Sequence, residues 1–159
     1  MAKQAEGLAV TALNAAMDAV GLARREDPTI QFACEQPGFS EMRRHPRVVR
    51  EWGEGILVQA CAYGERQSGK TYRIWMNDES AKEFTVVDPT SPESQCRHCR
   101  EGREHPQAYC PKKGQQKSRV RLEGYTTAAA RNRVPPGLAE AVARAQQTAR
   151  RKILERARG

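Results

Sequence analysis

The stretch "CRHCREGREHPQAYC", residues 96–110, narrows the choices more than any other part of the chain. It sets Cys96-x2-Cys99-x5-His105-x4-Cys110 in a segment with almost nothing apolar to bury. A hydrophobic core cannot organise such a segment; a metal ion can. Zinc takes four tetrahedral ligands, commonly cysteine thiolate and histidine nitrogen. A C-x2-C pair brings two sulfurs to one ion from a tight turn, and the later histidine and cysteine close the site. Gly102 and Pro106 suit a compact knuckle. The spacing predicts a structural zinc on Cys96, Cys99, His105 and Cys110. His98 is an alternative nitrogen ligand, disfavoured by its place between the two cysteines. The plain alternative is a loop whose reduced cysteines share no centre.

Of the other two cysteines, Cys61 sits inside an apolar run and reads as core, and Cys34 neighbours Glu35 on an expected strand. An odd total of five, with one local cluster, argues against a disulfide framework. The start, "MAKQAEGLAV", lacks an apolar signal core. No run approaches the roughly 20 apolar residues of a membrane span. The expectation is an intracellular, reducing compartment, cytoplasmic or nuclear, with no membrane partner. The 159 residues suffice for one domain with a modest core, and a mean hydropathy of -0.78 makes the chain polar for its size.

Charge divides the chain at the cysteine cluster. Residues 1–96 carry 11 Lys/Arg and 14 Asp/Glu, a net of -3. Residues 97–159 carry 16 and 5, a net of +11. That asymmetry points to a polyanionic partner, most simply nucleic acid. A solvated arginine-rich helix face is the bland alternative.

Patterning along the chain predicts an α/β fold. Residues 3–25 read as a helix with Leu8, Ala12, Ala16, Ala19 and Val20 on one stripe and Leu13 and Met17 beside it. "TIQFACE" (29–35), "ILVQACAY" (56–63) and "TYRIWMN" (71–77) read as strands. Ser40 is a candidate N-cap for a short helix that Pro46 redirects. "DESAKEF" reads as helical, "TVVDP" as a short extension, and "RVRLEGY" (119–125) as a short strand. Residues 138–157 form a helix with Leu138, Val142, Ala145 and Ala149 on its apolar face. The first two strands, joined by a helical crossover, are expected to lie parallel. The architecture expected is a partial Rossmann-like sheet with flanking helices and a Cys/His-rich zinc-binding insert. Its divisions are an α/β core (1–87), the insert (88–118), and a return segment with a basic C-terminal helix (119–159).

Three ordered segments carry a resemblance. "CEQPG" looks like the strand-end Glu-Asn-Val or Glu-Asn-Pro motif of DNA cytosine-5 methyltransferases, especially phage-like members. "QACAYGERQSGKTYRIWMN" resembles their following strand, Tyr-Gly turn, Gln/Arg-rich loop and return strand. "ARNRVPPGLAEAV" resembles the Arg-rich turn and Pro that lead into the last helix. The Cys/His excursion sits where such enzymes place target-recognition material. Its spacing is also similar to a retroviral-type zinc knuckle with one extra residue before the histidine.

The methyltransferase resemblance implies that Glu35 is the carboxylate engaging the ring of a flipped cytosine. It implies that Gln67, Lys70 and Arg73 approach the nucleotide. Gln36 departs from the family's usual Asn. The Gly-rich turn for S-adenosylmethionine and the Pro-Cys nucleophile loop are both missing. Cys34 cannot replace the nucleophile, because strand neighbours point to opposite faces. The chain is therefore expected to be inactive alone. It would be part of a split enzyme or a phage or mobile-element remnant, using S-adenosylmethionine only if a second chain completes the site.

Two other readings stand beside this one. A non-enzymatic zinc-containing nucleic-acid binder would use Lys112, Lys113, Lys117, Arg119, Arg121, Arg131 and Arg133 together with the C-terminal arginines. A P-loop NTPase would use "GERQSGKT" (64–71), which matches G-x4-G-K-T but runs into an aromatic, branched segment instead of a helix.

Overall fold

The segment "TYRIWM" occupies the middle of the sheet. In the computed structural model, which describes residues 2–64, 71–103 and 134–159, it forms strand β3 (Thr71–Met76). Its aromatic and branched side chains suit a pleated surface covered on both faces. Strand β1 (Ala33–Pro37) pairs antiparallel with one edge of β3, and β2 (Ile56–Gln59) pairs antiparallel with the other. The sheet order is β1-β3-β2. The register sets Glu35 opposite Ile74 and Ile74 opposite Ile56.

Alternation along β3 sorts the core into two layers. Tyr72, Ile74 and Met76 join Val58, Phe84, Leu138 and Ala145 on one face. That face is covered by α3 (Asp78–Glu83) and the long C-terminal helix α5 (Pro136–Arg158). Trp75 points the other way, into a cluster with Met17 and Val48. This second face is covered by α1 (Ala2–Glu26) and α2 (Pro46–Trp52). The Trp75 indole donates to the Gly53 carbonyl at 3.0 Å, and Phe32 stacks at a tilt on Trp52 with ring centroids 4.9 Å apart. Each large side chain buried this way stabilises by about 1.5–3 kcal/mol. The result is a mixed α/β fold in which helices flank a small sheet.

Several expectations change. β1 and β2 run in the same direction but do not pair, because the return strand β3 lies between them. β1 starts at Ala33, not Thr29. The Asp27 carboxylate accepts bonds from the Thr29 amide at 2.8 Å and hydroxyl at 2.7 Å, which turns the chain there. β2 ends at Gln59, and Ala60–Tyr63 wind into a 3-10 turn that closes on Gly64 in the left-handed conformation. Alanine has little strand preference, so the "ACAY" half of that apolar run does not extend the strand. In α1 the packed face is Leu13, Met17, Val20 and Arg24, while Ala12, Ala16 and Ala19 are exposed. Larger side chains remove more apolar area from water, so they take the inner face. "TVVDP" is irregular, and "RVRLEGY" lies outside the described residues.

A buried polar knot fixes the top of the sheet. The Gln31 side-chain carbonyl accepts from Asn77 at 2.5 Å and from the Ser80 hydroxyl at 2.7 Å. Asn77 and Ser80 are fully buried, so these bonds answer groups that would otherwise be desolvated without partners.

Candidate metal centre

Where the 3-10 turn leaves β2, it carries Cys61 to the side of the molecule where residues 88–103 return. Cys61 is 1% exposed and Cys96 is 6% exposed. The short helix α4 (Arg97–Arg100) starts at Cys96, whose sulfur accepts from the Cys99 amide at 3.5 Å. That turn is the geometry a C-x2-C pair needs. The Cys96 amide in turn donates to the Ser94 hydroxyl at 3.0 Å, and Ser94 is itself buried. The Gln95 amide donates to the Ala62 carbonyl at 3.0 Å, which ties the two segments together beside the thiols.

The sulfurs of Cys61, Cys96 and Cys99 all lie within 4.8 Å of one another. No disulfide joins them. Zinc–sulfur bonds of about 2.3 Å in a tetrahedron set sulfur separations at about 3.8 Å. Small side-chain rotations bring these three thiols to that spacing, so the group fits a thiophilic ion. Burial, and then the neighbouring Cys96 and Cys99 sulfurs, push the Cys61 thiol up to about 12. Burial, and then Cys96, push Cys99 up as well. Cys61 and Cys99, crowded against neighbouring sulfur, resist becoming thiolates, and a bound cation reverses that preference. The Cys61, Cys96 and Cys99 group could hold a metal ion.

This centre revises the ligand set expected from spacing. Cys61, expected to be core, joins Cys96 and Cys99. His105 and Cys110 lie outside the described residues, and His98 is not part of the thiol group. The sequence signal for Cys61 is faint: a cysteine between alanines, just before a Tyr-Gly turn.

Packing continues from the centre to α5. A side chain on Gly64 would collide with the Gln95 amide, and one on Gly137 would meet the Tyr63 carbonyl at 2.7 Å and Gln95 at 2.9 Å. Backbone, amide and helix start therefore meet at closest approach. The Tyr63 hydroxyl accepts from the Val87 amide at 3.0 Å.

The other expected site residues are dispersed. Glu35 lies on the sheet face toward α5, and Cys34 on the opposite face, as strand alternation requires. Glu35 lines a cleft with Ile74, Val134, Leu138 and Val142. Tyr63 lines a separate cleft on the other flank of α5, with Glu83, Glu93, Gln95 and Arg144. Arg73 is engaged by main chain: its guanidinium donates to the carbonyls of Gly38 at 3.3 Å, Glu54 at 2.6 Å and Gly55 at 3.4 Å. Gln67, Lys70, Lys112, Lys113, Lys117, Arg119, Arg121, Arg131 and Arg133 lie outside the described residues.

No family model, curated protein or solved structure matches the chain. Among the described residues, no helix is long and apolar enough to cross a membrane.

Proposed function

We propose that this chain is a non-enzymatic nucleic-acid-binding module held in shape by a structural zinc. Cys61, Cys96 and Cys99 supply three ligands. His105 or Cys110 supplies the fourth, on the chemistry of the spacing. The carrying observation is the meeting of a thiol from the β2 turn with the C-x2-C pair far along the chain. The three sulfurs, two buried and one half-buried, lie within 4.8 Å of one another, close enough to share one ion. The zinc lies where the acidic part of the chain gives way to the basic part, which carries the +11. Cationic side chains there would contact phosphate, and counterion release would drive binding.

Zinc content measured on protein purified without added metal tests the reading. One zinc per chain is expected. Cys61→Ser should lower occupancy as far as Cys96→Ser or Cys99→Ser does, while Cys34→Ser leaves it unchanged. Full zinc occupancy in Cys61→Ser would remove Cys61 from the ligand set.

A second reading keeps the cytosine-5 methyltransferase resemblance. One observation favours it: β2, the Tyr63–Gly64 turn and return strand β3 follow in the order of the motif, in the same sheet as Glu35. Against it, Glu35 and Tyr63 line different clefts. On this reading a second chain would supply S-adenosylmethionine binding and the nucleophile.

A further inference from the structure

Phe39 is the most exposed large apolar side chain among the described residues, at 74%. Its position is held firmly from both sides. The Gly38 amide donates to the Thr71 carbonyl at 2.9 Å, and Arg73 caps the Gly38 carbonyl. On the far side, the Ser40 amide donates to the Pro37 carbonyl at 2.8 Å, and the Ser40 hydroxyl accepts from the Met42 amide at 3.3 Å. Gly38 packs so closely on Thr71 and Leu57 that no side chain fits there. Main chain on either side of the ring is thus fastened to the sheet and to the next turn, while the ring faces water. Leu57, beside Gly38, is also exposed.

Two arginines follow Phe39 closely in the chain. The 3-10 turn that follows, Glu41–Arg44, carries Arg43 and Arg44. Arg44 has only a loose, exposed partner in Glu41 at 3.6 Å; Arg43 is half-buried, with its Nε covered, and forms no ion pair among the described residues. Arg47 and Arg50, by contrast, are tied to Asp18 and Glu51. A fixed aromatic face, followed in the next turn by two arginines without firm carboxylate partners, matches what a single-stranded nucleic acid offers. A base stacks on the ring, and the adjoining phosphates meet the arginines.

We infer that Phe39, with Arg43 and Arg44, is a base-stacking platform for single-stranded nucleic acid. This rests on the nucleic-acid reading above and adds a contact surface far in sequence from the basic C-terminal half. Stacking needs a ring, and so distinguishes a platform from a merely apolar spot.

The test is fluorescence anisotropy of a labelled oligothymidylate with the full zinc-loaded chain, over a range of salt. Phe39→Ala and Phe39→Leu should each weaken binding about tenfold, while Phe39→Trp retains it. The slope of log affinity on log salt should stay the same in these variants. The double variant Arg43→Ala/Arg44→Ala should make that slope shallower, by about 0.7 for each phosphate left without its arginine. Unchanged binding by Phe39→Ala, or full binding by Phe39→Leu, overturns the platform and leaves the nucleic-acid reading standing. No binding by the unaltered chain at any salt overturns both. Sedimentation that shifts from dimer to monomer in Phe39→Ala overturns the platform in favour of self-association.

Discussion

Two glycines with the same positive φ separate conformational freedom from close packing. Gly53 and Gly55 both have φ of 70°, in the region that disfavours side chains. A side chain at Gly53 would meet nothing, whereas one at Gly55 would reach the Trp75 ring at 2.9 Å and Arg73 at 3.0 Å. Gly53, with ψ of -159°, sits where essentially only glycine goes, and Gly53→Ala is expected to destabilise by about 1–3 kcal/mol from backbone strain alone. Gly55→Ala is expected to add about 1–3 kcal/mol to that, since the indole packs in a filled layer. Urea unfolding of the two variants side by side checks the difference; equal midpoints would show that the Trp75 layer yields.

At the level of elements, the centre of interest is the fastening between the β2 turn and residues 94–100. The sheet has its own core on both faces, but the segment around α4 has little apolar material of its own. Chelation should therefore loosen it selectively. Amide hydrogen exchange at Gln95 and Cys99 is expected to quicken when zinc is stripped, while amides of β3 keep their protection. Equal protection with and without chelator would mean that the hydrogen bonds to Ala62 and Cys96 suffice.

The elements also show what patterning can and cannot reveal. β3 and α5 are legible within a residue or two, because long apolar periodicity leaves few alternatives. The C-x2-C pair is legible for the same kind of reason: its geometry is local. Cys61 is not, since its role depends on a 3-10 turn cutting an apolar run short, and alanine carries little signal for either outcome. The sheet order is also hidden. The short loop "GERQSGK" announces a return strand beside β2, but only tertiary contacts decide that β1 takes the other edge of β3. The inner face of α1 is easily mistaken because alanines share the period of the larger residues beside them.

Across the whole molecule, charge and architecture lead to an expectation about activity. The three-stranded sheet carries no Gly-rich turn at a strand end for a methyl donor among the described residues. The purified chain, given DNA and labelled S-adenosylmethionine, is expected to transfer no methyl group. Transfer that disappears in Glu35→Gln would reinstate catalysis and displace the binding-module reading.

The place of β3 between two earlier strands has a further consequence during synthesis on the ribosome. β1 and β2 emerge first, and neither can hydrogen-bond to the other in the final arrangement. Both must wait for residues 71–76 to clear the exit tunnel. Until then the nascent chain holds two unpaired strands with open edges, one of them the apolar Ile56–Gln59, the condition in which chaperones find their clients.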